Sequence, residues 1–173
     1  GHPVPTRPHI KSKTSGFHLT DQVKAASLPR ISVIIPARNE AENLPALLKA
    51  LVAQTYPAES FEIIVVDDHS TDGTASVVNK FKEQYGHRNT IKLISLQDHL
   101  GGTSINSYKK KAIETAIGLC SGTLLVNTDA DCTMGPQWLE TIAHCYAVEQ
   151  PEMIVMPVQI SPAKKFIEIF QSL

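Results

Sequence analysis

Short apolar runs recur along the chain at Ile31–Ile35, Phe61–Val66, Ile91–Ser95, Leu124–Val126 and Met153–Met156. Each is short for a helix and predicts a strand; the first is β-branched and bounded by Pro36, and it and the fourth read as buried strands. The third run, interrupted by Lys92, is less apolar and belongs nearer a sheet edge. Between the runs the period changes. Leu44, Leu47, Leu48 and Leu51 fall on one helical face, with Asn39 expected as N-cap, Glu42 completing a capping-box-like pair and Pro57 beyond the end. A second helix is expected from about Thr74 to Tyr85, closed by Gly86. A loop with Gly101-Gly102 leads to a third over about Ser107–Leu119, with Ala112, Ile113, Ala116 and Ile117 inward. Pro136 suits the first turn of a fourth, running to about Val148. Ser161-Pro162 opens a last helix with Phe166, Ile169, Phe170 and Leu173 on one face.

Alternating strands and helices with short links predict an α/β domain, a mainly parallel sheet with helices on both faces, over residues 30–173. Residues 1–29 show no sustained period and read as a tail or linker with a short helix near Leu19–Ala26. Gly1-His2 has the look of an expression scar.

Composition narrows the function classes. The 173 residues are 42% hydrophobic and 19% charged, as in an ordinary globular domain with a sizeable core. A net charge of −1 argues against a general nucleic-acid binder. No apolar run reaches membrane-span length and no signal-peptide core is present, so a cytoplasmic setting is expected. Cys120, Cys132 and Cys145 form no C-x-x-C pair and read as reduced thiols. The histidines are not at metal-ligand spacing.

The candidate chemistry sits at strand ends. Asp67-Asp68 close the second run, Asp129 and Asp131 follow the fourth, and Pro36-Ala37-Arg38-Asn39-Glu40 follows the first. Ligands of open α/β sheets bind outside the carboxyl ends of the strands. A D-x-D there offers hard oxygen donors to a divalent cation, which neutralises a diphosphate. Neither G-x-G-x-x-G nor G-x-x-x-x-G-K-[ST] is present, so phosphate is met by other means: a metal on Asp131 and a base such as Lys109. Acids left near the crevice accept hydrogen bonds from ribose hydroxyls or a base N–H. Several neighbours have plainer readings. Asp67 suits a backbone anchor, Asp72 a turn or cap, His69 a turn, and Trp138, Leu139 and Ile142 core. Cys132 is set aside as a ligand because hard cations prefer oxygen.

Jointly, S-V-I-I-P-A-R-N-E, I-I-V-V-D-D-H-S-T-D-G-T and T-D-A-D, in this order, resemble the nucleotide-binding half of family 2 glycosyltransferases of the GT-A fold, from about Ile31 onward. The resemblance implies that Pro36, Arg38 and Glu40 line the nucleoside pocket, with Arg38 against the base and Glu40 near the ribose. It implies a hydrogen bond from the base to Asp68 and a diphosphate contact from Lys109, with Lys110 as the alternative because Tyr108 stands where the family often has glycine. Asp129 would contact ribose or metal, and Asp131 would ligate Mn²⁺ or Mg²⁺. The activity implied is metal-dependent, inverting transfer from a UDP-sugar to a carbohydrate or lipid-linked acceptor.

The family's catalytic base, commonly in an E-D pair, and its Q-x-x-R-W do not appear before Leu173. The reading is therefore of a truncated domain that binds donor without transferring sugar, from a parent protein tethered to the cytoplasmic face of a membrane. Self-association through the last helix is expected. Rival readings are a non-catalytic nucleotide-binding module and a Mg²⁺-dependent phospho-acceptor domain, the latter disfavoured because its acids follow the first strand. A nucleotidyltransferase would need a Gly-rich opening loop that is missing.

Overall fold

The computed structural model describes residues 28–100, 108–149, 153–159 and 164–171. The apolar runs form β1 (Ile31–Ala37), β2 (Phe61–Asp67), β3 (Thr90–Ser95), β4 (Leu124–Asn127) and β5 (Met153–Gln159), joined by a further strand, β6 (Lys164–Gln171). They make one sheet in the order β3-β2-β1-β4-β6-β5. The strands from β3 to β4 are parallel, β6 runs antiparallel to β4, and β5 antiparallel to β6. The less apolar β3 is an edge strand. The chain winds outward from β1 to β3 and then returns to β1's other side, so the winding reverses between β1 and β4, where α/β sheets open their ligand crevice.

Alternation along each strand builds two cores. Val33, Ile35, Ile63 and Val65 face α1 (Leu44–Val52), α2 (Thr74–Tyr85) and α5 (Trp138–Glu149). Ile34, Ile64 and Val66 face α3 (Leu96–Leu100) and α4 (Tyr108–Ile117). The leucine stripe of α1 is fully buried, and truncating a side chain such as Leu47 to alanine costs about 2–5 kcal/mol. On α4 the buried positions are Ala112 and Ala116, whose small side chains let the helix lie close on the sheet. Among the described residues no helix is long and apolar enough to cross a membrane.

A polar network ties the strands' amino ends. Glu62 is fully buried and accepts hydrogen bonds from the Ser32 hydroxyl at 2.6 Å and the Ser121 N–H at 2.5 Å, with Lys92 Nζ 2.7 Å from its other oxygen. Burial pushes its pKa up, but Lys92 and the Ser121 and Ser32 donors outweigh that and hold it at about 2. Gly122 passes so close to β1 that a Cβ there would lie 2.5 Å from Ser32 N.

Three expectations are corrected. Asn39 is not an N-cap: it has φ 53°, and α1 starts only at Leu44, behind a turn in which Asn43 Nδ2 donates to Glu40 at 2.8 Å. The short α3 was not anticipated. The last helix is β6, because Phe166, Ile167, Ile169 and Phe170 fit a period of two as well as a helical stripe, and a short apolar run does not distinguish them. Pairing with Leu124–Val126 satisfies a β4 edge that would otherwise be open, and it removes the helix on which self-association was argued. The tail, including its short helix, and Gly101-Gly102 lie outside the described residues.

Candidate functional site

Parallel pairing puts the carboxyl ends of β1, β2 and β4 on one side of the sheet, with Ala37 level with Asp67 and Ile34 level with Asn127. The loops after β1 and β2 are stitched together. Asp68 N–H donates to the Ala37 carbonyl (2.8 Å), Asn39 N–H to Ser70 Oγ (2.9 Å) and Glu40 N–H to Thr74 Oγ1 (2.9 Å). Thr71 N–H returns a bond to Asn39 Oδ1 (2.8 Å), and Ala41 N–H donates to Asp72 (3.1 Å). Asp72 also accepts from the Thr74 hydroxyl, which with the Thr74 N–H holds its carboxyl below the usual range, and Asp67 accepts from Ser70 N–H at 3.3 Å. Both are loop anchors.

Asp68 is different. It is buried beneath the cleft, with Oδ1 2.8 Å from His69 Nδ1 and Oδ2 3.7 Å from Arg38. His69 holds φ 53°, a left-handed conformation uncommon for residues other than glycine, though histidine adopts it more readily than most. The Arg38 guanidinium lies 5.5 Å from the centre of the Tyr108 ring, and the His69 ring meets Tyr108 edge-on at 6.1 Å. Across the cleft, Lys109 Nζ is 2.7 Å from Asp129 Oδ1.

Pro36, Arg38, Asp68, Lys109 and Asp129 line one cleft of about 170 Å³, together with Ala37, Tyr108 and Ala112. Glu40 stands apart and is engaged with Asn43, and Lys110 is not part of the lining. Asp131 lies in the turn after β4, where Asp129, Asp131 and Cys132 each bring a ligand atom within 4.8 Å of the others. Burial pushes the Cys132 thiol pKa up, and a hard divalent cation prefers the oxygens of the two carboxylates to sulfur. Such a pair fits a hard divalent cation, and the Lys109 ammonium already at Asp129 shows that this carboxylate attracts positive charge. Tyr108 is the lining residue that sequence reasoning undervalued. The spacing Tyr108-Ala112-Ala116 signals its place on the sheet-facing stripe of α4.

The family model for glycosyl transferase family 2 matches residues 32–168. The chain belongs to this family. Glycosyltransferase AglE of Haloferax volcanii is 39% identical over 115 residues, which make up 66% of this chain and 34% of that protein. Among solved structures, the mannosyltransferase PcManGT from Pyrobaculum calidifontis in complex with GDP-Man and Mn²⁺ has a TM-score of 0.59 at 29% identity, covering 69% of this chain and 33% of that one. S. aureus TarS 1–349 in complex with UDP-GlcNAc has a TM-score of 0.60 at 27% identity, covering 72% and 33%. The family 2 domain described here thus spans about a third of the length of these relatives, and its α/β sheet is GT-A-like.

Proposed function

We propose that this family 2 domain binds a UDP-sugar together with Mn²⁺ or Mg²⁺, as the donor half of an inverting glycosyltransferase. The observation that supports this reading most is a single cleft lined both by a buried carboxylate, Asp68, and by a Lys109–Asp129 charge pair. Asp68 suits a nucleobase N–H, because a buried carboxylate offers only acceptors. Arg38 stands beside it to face the base, and Lys109 carries positive charge to where the diphosphate would lie. Asp129 and Asp131 would hold the cation. Bound there, the cation stabilises the negative charge that develops on the departing diphosphate. Transfer to a carbohydrate or lipid-linked hydroxyl also requires a carboxylate base within hydrogen-bonding reach of it.

The test is calorimetric titration with UDP-glucose and UDP-GlcNAc in Mn²⁺ and in EDTA. Binding that needs the metal, and that Asp131→Asn weakens mainly in its metal-dependent part, supports the proposal. Equal binding in EDTA removes the role given to Asp131.

A further inference from the structure

Tyr108 has no role in the reading above, although it occupies the mouth of the cleft. Its position follows from α4. Helical side chains lean toward the amino terminus, and Tyr108 lies on the same stripe as Ala112 and Ala116, which are buried against Ile34, Ile64 and Val66. The alanines bring the helix close to the sheet, so the ring at its start reaches over the loops that follow β1 and β2.

Two contacts hold the ring there. Arg38 comes 5.5 Å from its centre, and the His69 ring meets it at 73° and 6.1 Å. Both partners also engage Asp68 (2.8 Å for His69, 3.7 Å for Arg38), so ring, guanidinium, imidazole and carboxylate form one cluster at one end of the cleft. Tyr108 is 39% exposed, so part of its surface stays open to a ligand. The end of the cleft with the hydrogen-bond acceptor is therefore also the end with the aromatic surface. That combination suits a flat heterocycle bearing an N–H. Lys109, paired with Asp129 rather than with this cluster, suits phosphate. The cleft as a whole, including the part beside Lys109, measures about 170 Å³ against the roughly 300–1,000 Å³ of ordinary ligand pockets, so the space beside Tyr108 is narrower still and favours the smaller of the nucleobases.

We infer that Tyr108 is a specificity-determining residue whose ring forms one wall of the nucleobase slot, stacks on the base that Asp68 hydrogen-bonds, and favours a pyrimidine over a purine. The inference rests on the donor-site reading above and deepens it.

The experiment measures dissociation constants for UDP, GDP and pyrophosphate, all with Mn²⁺, on the wild type, Tyr108→Phe and Tyr108→Leu. Tyr108→Phe keeps the ring and should hold UDP affinity within about twofold. Tyr108→Leu should weaken UDP roughly 5- to 150-fold, the range for loss of one base–aromatic stack, leave pyrophosphate unchanged and narrow the preference for UDP over GDP. A nuclear Overhauser contact between the Tyr108 ring protons and uracil H5 or H6 in the wild-type complex is expected, and it decides the matter should Tyr108→Leu fail to fold. UDP binding by Tyr108→Leu as tight as or tighter than wild type, or an equal loss for pyrophosphate, overturns the inference while leaving the donor site standing. Absence of that contact overturns it as well. A wild type that binds pyrophosphate with Mn²⁺ but no nucleotide more tightly overturns the donor-site reading itself.

Discussion

Lys109 Nζ sits 2.7 Å from Asp129 Oδ1, so a cation of the protein's own already occupies one carboxylate of the D-x-D turn. Lys109 belongs to the first turn of α4 and Asp129 to the turn after β4, and their closeness depends on α4 packing against the sheet. A metal and a lysine compete for the same oxygen, whereas a metal–diphosphate gives the displaced ammonium a new anion. Two opposite effects of one substitution follow.

Lys109→Met removes the charge and keeps the bulk. Affinity for Mn²⁺ alone should rise about two- to fivefold, the scale of a half-exposed ion pair. Affinity for UDP with Mn²⁺ should fall about tenfold, through loss of a charge-assisted contact. Electron paramagnetic resonance titration of free Mn²⁺ measures the first and calorimetry the second. Changes in the same direction would show that Lys109 acts through the fold.

Asp68→Ala should weaken UDP binding by about 1–3 kcal/mol, the loss of one hydrogen bond to a charged acceptor. Pyrophosphate with Mn²⁺ should bind nearly as before, since Asp68 is engaged with Arg38 and His69 and not with the Lys109–Asp129 pair. Calorimetry with both ligands checks this, and equal losses would assign Asp68 to the fold or to the metal.

The third prediction concerns pH. Glu62 is held at about 2 against an ordinary value of 4.5, so it contributes stability that is fully present above about 4.5 and lost as pH falls toward 2. Urea denaturation between pH 5 and about 2 should show that decline in the wild type. Glu62→Gln should start from lower stability at pH 7 and flatten the curve. An unchanged slope would show that other carboxylates govern the acid limb.

The fourth prediction is that this 173-residue chain binds donor but transfers no sugar at more than a trace rate. On the proposed donor site, the donor contacts would all fall between Pro36 and Asp131. Among the described residues after Asp131, Glu140 and Glu149 belong to α5, and Glu168 lies in β6 next to Ile169, which pairs with Val126 near the end of β4; none of the three sits in a loop after a parallel strand like those carrying Asp68 and Asp129. Incubation with radiolabelled nucleotide-sugars and a panel of glycan and lipid acceptors checks it. Turnover abolished by Asp131→Asn would require a base from among the residues present.

Much of this was legible in the sequence because strands buried on both faces leave short, mostly apolar runs, as at Ile31–Ile35 and Phe61–Val66, and because acids stand at the ends of more than one of them. The mainly parallel order followed from the spacing. The start of α1 was misread because Asn39 has the chemistry of a cap, yet its Oδ1 is used by Thr71 from a loop about thirty residues on. β6 was misread because Phe166–Phe170 satisfies two periods and only the partner strand decides between them. Tyr108 and Glu62 were missed for one reason: their partners come from other elements, and no local pattern encodes a contact between α4 and the β1 loop or between β2 and Lys92.

The bonds joining the β1 and β2 loops bear on how recognition would proceed in time. Ordering a residue's backbone costs about 1–2 kcal/mol, and for these loops that loss of freedom belongs to folding rather than to ligand capture. On the proposed donor site, the part that would take the base is therefore shaped in advance, while the part that would take the phosphates has to exchange the Lys109–Asp129 ion pair before it can engage. A nucleotide would meet a stiff half and an adaptable half of one site. Its base should be seated at close to the encounter rate, with a slower, salt-sensitive adjustment following at Lys109 and Asp129.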